Sequence, residues 1–489
     1  MSAGAGTADS GINTSLVIRL TFVATLGGLL FGYDTAVISG AVSSIDTYFI
    51  EPLGLSETAR SSLSGFTVSS ALLGCIVGGA LAGWISTALG RRGGLLIAGA
   101  MFLFGSIGSA VPEIGFGTVG KLGPGALWPF IGYRILGGVG VGIASMLSPL
   151  YIAEIAPSAI RGRLVSFNQL AIVGGILLAD FINWVIGSQG DELWLKSMGW
   201  RLMLASEAIP SAVFLLLLLF VPDTPRWLVL RGRSTEALTQ LKRIMGDTDA
   251  RSIVSDIERT LAERAGRLFS FGVPVVLIGV LISVFQQFVG INAVLYYAPM
   301  MFQNMGASAH SALFETVIVA VANTVFTLVA IFTVDSWGRK PLLITGAAMM
   351  AVAMLALGSL FNAHTVGLGA LIAVVCYIAG FALSWGPVAW VMLAEMFPNS
   401  IKGKAMGLAV AAQWGANWLV SASFKVLDGN STLNALFNHG FAYWLYGVMS
   451  VLAALFVLRY VPETKGRSLE AIEELWVHPG QGSRARVVS

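Results

Sequence analysis

Three ionisable residues stand out inside long apolar runs: Asp34 in FGYDTAVISG, Arg134 in IGYRILGGVG and Glu207 in LASEAIP. A charged side chain in hydrocarbon is costly, so each is a functional candidate by default. An isolated aspartate there would take up a proton, whereas one beside an arginine keeps its charge. A conformational change that separates Asp34 from Arg134 would let Asp34 load a proton, which couples proton movement to a cycle. A static structural ion pair is the other reading of the same two residues. Glu207 sits near the start of its run, nearer an interface, and also suits a structural role.

A second set is uncharged. It comprises Gln169, then Gln286, Gln287 and Asn292 in FQQFVGINAVLYYAP, Asn323, Trp385 and Trp390, and Gln413, Trp414 and Asn417. Amides carry both donors and acceptors, which suits a ligand made of hydroxyls. Tryptophan offers a flat apolar face with one N–H, which suits the C–H face of a pyranose ring. The scarcity of charge in these runs argues against an ionic substrate. Amides also bond helix to helix, although the adjacent Gln286–Gln287 pair with Asn292 fits that role less well.

A third set lies between the runs. Arg91, Arg161, Arg339 and Lys402, with Glu154, Glu395 and Asp335, have the signs needed for cross-helix ion pairs that lock one side of a membrane protein in one state and break in the other. Exposed pairs are each worth little, so only a network could bias an equilibrium. The alternative is that these charges set topology alone.

Other chemistries find no support. Cys75 and Cys376 have no partner at metal or redox spacing. The four histidines, His310, His364, His439 and His478, form no ligand cluster. GGVGVG at 137–142 follows no strand and is no nucleotide signature; small residues there permit close helix contact instead. There is no P-loop and no nucleophile–base constellation. An enzyme, a metal site, a cofactor and ATP-driven transport are all disfavoured.

The elements that hold these residues follow from composition. Of 489 residues, 56% are hydrophobic and 11% charged, against about 45–50% and about 25% in soluble domains. Mean hydropathy is +0.79. Twelve apolar runs are predicted as spans: 17–42, 62–87, 93–112, 126–152, 164–188, 201–221, 272–304, 311–334, 341–361, 367–396, 403–427 and 440–461. Backbone groups facing lipid must be satisfied internally, so each run is helical. Alternating strands of a β-barrel are absent. The first run exceeds a signal-peptide core and has no clear cleavage site, so it reads as a retained helix.

Residues 222–271 break the pattern with dense mixed charge, and the stretches Glu236–Met245 and Arg251–Arg264 read as short amphipathic surface helices. The chain divides into a bundle over 1–221, a linker over 222–271, a second bundle over 272–461 and a tail over 462–489. Net charge is +3, but its basic residues read as topology signals rather than a nucleic-acid surface. Arg91–Arg92, Arg161 and Arg163, Arg339–Lys340, and Lys402 and Lys404 fall on one side of a twelve-span plan. The opposite loops hold only Arg60, Lys121, Lys196 and Lys425. The positive-inside rule makes the first side, with both termini, cytoplasmic. The halves repeat as well. Gly90-Arg91-Arg92 matches Gly338-Arg339-Lys340, and Arg161-Gly162-Arg163 matches Lys402-Gly403-Lys404. Glu154 matches Glu395, and Pro222-Asp223-Thr224-Pro225 echoes Pro462-Glu463-Thr464-Lys465. Matched signals in matching order imply duplication about an axis along the membrane normal.

At GGLLFGYDTAVISG, YRILGGVGVG, YIAEIAPSAIRGR, PDTPRWL, FQQFVGIN, VDSWGRK, SWGPVAWVMLAEMFP and VPETKGRSLEAIEE, spread over about residues 20–470, the chain resembles the sugar porter family of the major facilitator superfamily. Within it, the resemblance points to bacterial xylose–proton symporters and, through GRRGGLL, INAVLYYAP and FNHGF, to the bacterial glucose facilitator. It implies an all-α membrane protein with the major facilitator fold, two six-helix bundles with a monosaccharide between them. It also implies sugar contacts at Gln169, Gln286, Gln287, Asn292, Trp390, Gln413 and Trp414, with Asn323 a further candidate. Proton coupling is implied at Asp34 with Arg134. The expected partners are a sugar, protons and the bilayer of the cell inner membrane; nucleic acid is not among them and an oligomer is not required. An uncoupled facilitator stays open, and so, less favoured by the short tail after Pro462, does a sugar sensor.

Three positions depart from the family pattern. Ile176 stands where xylose symporters have a sugar-binding glutamine. Thr87 replaces the usual acidic or amide residue before GRR, and Lys402 replaces an arginine, which removes a bidentate bond. Ile176→Gln is expected to raise the ratio of xylose to glucose binding constants, because it restores an amide beside the ligand. An unchanged ratio would mean that other positions set the choice.

Overall fold

The structure is a computed structural model that describes residues 13–157, 160–245, 247–262, 267–398 and 401–465. The side chain of Asp335, residue Arg264, and the tail from residue 466 lie outside what it describes. All regular structure among the described residues is helical.

Ten helical stretches are long and apolar enough to cross a bilayer. One of them, Glu57–Ala110, has 54 residues, about 80 Å of helix at about 1.5 Å per residue and twice what a span needs. It holds the second and third spans, joined at Gly90. The eleventh span, Lys402–Asp428, is 27 residues long but more polar. Ten stretches, the extra span and Lys402–Asp428 make the twelve expected. Boundaries differ locally. Span 1 continues past residue 42 in short helical turns to Leu53. Arg60 and Lys425, expected in loops, lie inside helices. The linker forms Pro225–Leu230, Ser234–Met245 and Asp247–Ala262, the second burying Ala237, Leu241, Ile244 and Met245 on one face.

Helices pack closely where glycine removes the side chain. A Cβ on Gly138 would lie 1.8 Å from the Ala71 carbonyl, and one on Gly175 2.0 Å from that of Leu29. These contacts press span 4 on span 2 and span 5 on span 1. Across the two halves, span 5 packs on span 8, and span 11 packs on Glu57–Ala110. Large apolar side chains such as Phe22, Phe104 and Phe332 face outwards, as a hydrocarbon solvent requires.

Spans 6, 7 and 10 are interrupted, and the candidates Glu207, Gln287, Asn292 and Trp385 sit at or beside the interruptions. Span 6 breaks at Glu207, between Trp200–Ser206 and Ala208–Leu218; Pro210 supplies no N–H to the preceding turn. Span 7 breaks at Gly290, φ 95°, between Val273–Phe288 and Ile291–Asn304. Span 10 breaks at Ser384, between Leu368–Leu383 and Trp385–Met396.

Gly90 (φ 85°, ψ 171°) occupies a backbone region open essentially to glycine alone. A Cβ there would also lie 1.9 Å from Asp223 Oδ2. Gly90→Ala is expected to destabilise the protein by on the order of 1–3 kcal/mol, read as a lower melting temperature of purified protein. Gly338→Ala should cost less, since its nearest neighbour, Glu463 Oε2, stands at 2.9 Å.

Candidate functional site

The breaks in spans 7 and 10 bring the amides together. Gln286 Nε2 donates to the Trp385 carbonyl at 2.8 Å, just past the span 10 break. Gln286 Oε1 accepts from Gln413 Nε2 at 2.5 Å and from Gln287 Nε2 at 3.5 Å. Gln287 Oε1 accepts from Asn292 Nδ2 at 2.6 Å, across the span 7 break. The result is a chain of four amides on three helix segments. It lines a cavity whose other polar walls are Gln169, Asn323, Thr35 and Thr327, with Trp390, Phe31, Ile172 and Ile176 as apolar ones. No residue lining this cavity is charged. Gln413 Oε1 is buried without a hydrogen-bond partner, an acceptor available to a hydroxyl.

Of the expected ligand contacts, Gln169, Gln286, Gln287, Asn292, Asn323, Trp390 and Gln413 line the cavity. Trp414 does not. Its ring lies 5.6 Å from that of Phe31 and 3.9 Å from the Cβ position of Gly79, so it backs the wall from the other half of the protein. Trp385 is fully buried, its Nε1–H on the Leu343 carbonyl. Phe31, Thr35 and Thr327 were missed by the sequence reading, since phenylalanine and threonine are ordinary residues of membrane helices.

Asp34 and Arg134 pair at 2.8 Å (Oδ1 to Nη1), both buried, and Arg134 Nη2 also donates to the Asp34 carbonyl at 3.4 Å. Glu207, 1% exposed, lies close enough to interact with both charges, and its Oε1 is buried without a hydrogen-bond partner. Two carboxyl groups therefore share one guanidinium. Each charge removed from water costs several kcal/mol before pairing returns part of it, so one guanidinium leaves the second carboxyl of this cluster without an ion-pair partner of its own. Asp34 precedes Thr35, which lines the cavity, so a single turn of span 1 carries both the ionic cluster and part of the neutral site.

The basic loop residues form two copies of one knot. In the first, Arg91 Nη2 meets Glu154 at 2.7 Å, and Thr224 Oγ1 donates to the other Glu154 oxygen at 2.6 Å. Asp223 Oδ1 accepts the backbone N–H of Arg91 at 3.0 Å. In the second, Arg339 meets Glu395 at 2.9 Å, and Thr464 Oγ1 donates to Glu395 at 2.6 Å. Glu463 accepts the N–H groups of Arg339 and Lys340 at 3.1 and 3.0 Å. Each acid caps the helix that starts after a positive-φ glycine. Burial pushes the Asp223 carboxyl up, against the pull of the N–H groups it accepts. Both ion pairs lie within one half and do not bridge the halves. Lys402 stands half-buried near Glu395 with no ion pair among the described residues. Arg161 is exposed and among the described residues its hydrogen-bond partner is the Ala156 carbonyl, at 3.4 Å. The sequence reading noticed the Pro222–Asp223 and Pro462–Glu463 echo without a role for it; the acid is the cap. Thr87, where the pattern departs, gives its carbonyl to Trp227 Nε1 at 3.0 Å.

At the opposite end the halves do touch. Lys425 Nζ meets Asp46 Oδ2 at 2.7 Å, Ser64 Oγ donates to Asp46 Oδ1 at 2.5 Å, and Glu57 accepts the Ser431 N–H at 2.7 Å. Nearby, Arg201 holds Glu113 through two hydrogen bonds of 2.6 and 2.9 Å. Burial opposes the Glu113 charge, but the Arg201 guanidinium holds its carboxyl below the usual range.

This architecture has close counterparts. The D-xylose-proton symporter of Escherichia coli (strain K12) is 54% identical over 473 residues, 95% of this chain and 96% of that protein. The glucose facilitated diffusion protein of Zymomonas mobilis is 49% identical over 465 residues, 94% and 98% of the two chains. The partially occluded inward-open structure of the xylose transporter XylE from E. coli superposes with a TM-score of 0.85 at 51% identity, covering 93% of this chain and 100% of that one. The model for "Sugar (and other) transporter" matches residues 20–476, a stretch that contains the broken helices, the neutral cavity, the ionic cluster and both knots, and the chain belongs to that family.

Proposed function

We propose that this protein is a monosaccharide–proton symporter of the cell inner membrane that carries D-xylose, D-glucose or both by alternating access. The observation that carries the reading is a neutral, amide-walled cavity set one residue along span 1 from a buried ionic cluster with an excess carboxyl. Hydroxyls exchange hydrogen bonds with the amides, and the Trp390 ring covers the C–H face of the sugar. Asp34, Arg134 and Glu207 hold and release the proton. The bundles over 1–221 and 272–461 rock against each other, with the linker over 222–271 and the tail over 462–489 on the cytoplasmic side together with both termini. On this reading the Lys425–Asp46 bridge closes the outer end, and the two cytoplasmic knots, formed by Arg91, Glu154, Arg339 and Glu395 with Arg161, Lys402 and Asp335 around them, keep each half rigid while the inner end opens. The similarity to an inward-open relative supports this orientation.

Ile176 favours a second reading, an uncoupled facilitator. An isoleucine in the cavity wall gives up one polar contact to the sugar, and a glucose facilitated diffusion protein is a near relative.

Two experiments test these readings. Gln286→Ala should abolish or strongly weaken sugar binding in calorimetry, since it removes the amide that links Gln413 to Gln287. Trp390→Ala should do the same by uncovering the ring. Wild-type affinity in both variants would sink the proposed site. Asp34→Asn should lose accumulation driven by an inward proton gradient in proteoliposomes while still binding sugar and supporting counterflow. Absence of gradient-driven accumulation in the wild type replaces symport by facilitation. Equal accumulation in wild type and variant moves the proton to Glu207.

A further inference from the structure

A fourth buried acid takes no part in what has been described. Asp180 on span 5 is 3% exposed, and among the described residues its one hydrogen-bond partner is Ser39 Oγ at 3.2 Å, with no ion pair. Its titratable neighbour is Tyr33 of span 1, close enough for the two to interact. Spans 4, 6 and 8 also pack on span 5, and none brings a described charge to Asp180. A carboxylate ion so placed would be uncompensated in a medium where that is most costly, so the group needs a small cation to neutralise it.

The surroundings supply a route. Ser39 lies where span 1 tightens into the 3-10 turn Ile38–Ala41. There it lines a second cavity, walled also by Ser43, Ser44, Glu192, Lys196 and Gln303, which is distinct from the amide cavity. This cavity lies at the Lys425–Asp46 end of the molecule. On the inner side of Asp180, the Tyr33 hydroxyl and Ser206 Oγ stand 2.7 Å apart. Ser206 precedes Glu207, and Tyr33 precedes Asp34. Two hydrogen-bonded pairs, Ser39–Asp180 and Tyr33–Ser206, thus stand between the outer cavity and the ionic cluster, with Ser206 Oγ donating in turn to the Met203 carbonyl at 2.5 Å.

We propose that Asp180 is a second proton-binding site, the inlet through which protons from the outer cavity reach the Asp34–Arg134–Glu207 cluster. Asp180 takes a proton from water by way of the Ser39 hydroxyl. It gives that proton up on its inner side, toward the cluster, and the Ser39 hydroxyl ends as it began, so the net event is one proton moved inwards. This inference rests on the symport reading for its transport consequence, but the site itself can be tested without transport.

Infrared difference spectra of the full-length protein in lipid bilayers, between acid and alkaline buffer, should show a protonated-carboxyl C=O band that Asp180→Asn lacks and Asp180→Glu keeps in shifted form. In proteoliposomes, the ratio of proton-driven uptake to counterflow should fall in Asp180→Asn, fall less in Ser39→Ala, and recover in Asp180→Glu. A carboxyl band unchanged in Asp180→Asn overturns the proposal. So does a band abolished by sodium chloride at constant pH, which would make the occupant a sodium ion. If the wild type shows no proton-driven uptake, symport fails while the infrared band still decides whether Asp180 holds a proton.

Discussion

In hydrocarbon, every backbone N–H and C=O must find its partner inside the protein. That constraint makes the spans helical, and it also decides where they stop being helical. The interruptions at Glu207, Gly290 and Ser384 face the interior, where side chains or neighbouring helices take the groups released. Gln286 shows the exchange directly, since it donates to carbonyls beside the break in span 10. A broken helix is tolerated only where protein lines it, and such places can present polar groups to a solute. The position of the neutral cavity follows from the same rule that builds the scaffold.

The second organising feature is duplication, expressed atom by atom. Asp223 and Glu463 cap equivalent helices, Thr224 and Thr464 donate to equivalent glutamates, and Arg91 and Arg339 complete the two knots. Each knot ties its own half together. Among the described residues the links between halves are of a different kind: helix-on-helix packing and, at the other end, the Lys425–Asp46 bridge with the Glu57–Ser431 hydrogen bond. Strong polar ties within halves and fewer between them are what a rocking mechanism requires, because reorientation then breaks few bonds.

Much of this was legible in the sequence. Hydropathy located all twelve spans, because burial in lipid leaves an unbroken apolar signal. The repeated GRR and PDT/PET signals located the knots, because charges are rare in this chain. Asp34, Arg134 and most of the cavity amides were identifiable for the same reason: a polar residue within an apolar run stands out. What stayed hidden depended on geometry between helices. Phe31, Thr35 and Thr327 have no composition signal, and whether they face a cavity depends on helix rotation. Trp414 carries the same chemistry as Trp390 but faces a neighbouring helix, and no local pattern distinguishes the two. Asp180 was passed over although it lies in an apolar run, because no recognisable motif surrounds it. The loop charges were read as partners in cross-helix ion pairs, and Arg91–Glu154 and Arg339–Glu395 are such pairs, each within one half.

The amides Gln413, Gln286, Gln287 and Asn292 are hydrogen-bonded to one another in one chain, with Gln413 Oε1 left over as an acceptor. A sugar arriving at the proposed site would therefore displace existing hydrogen bonds as well as form new ones. Its binding is an exchange reaction with a modest net gain, in contrast to a preorganised receptor whose donors wait unpaired. Such a site discriminates by whether the incoming hydroxyls can match the geometry the amides already adopt. On the proposed function, release is eased in the same way, because the amides can bond to each other as the solute departs. For a carrier that must unload on every cycle, a binding site that heals itself when emptied favours turnover over tight retention.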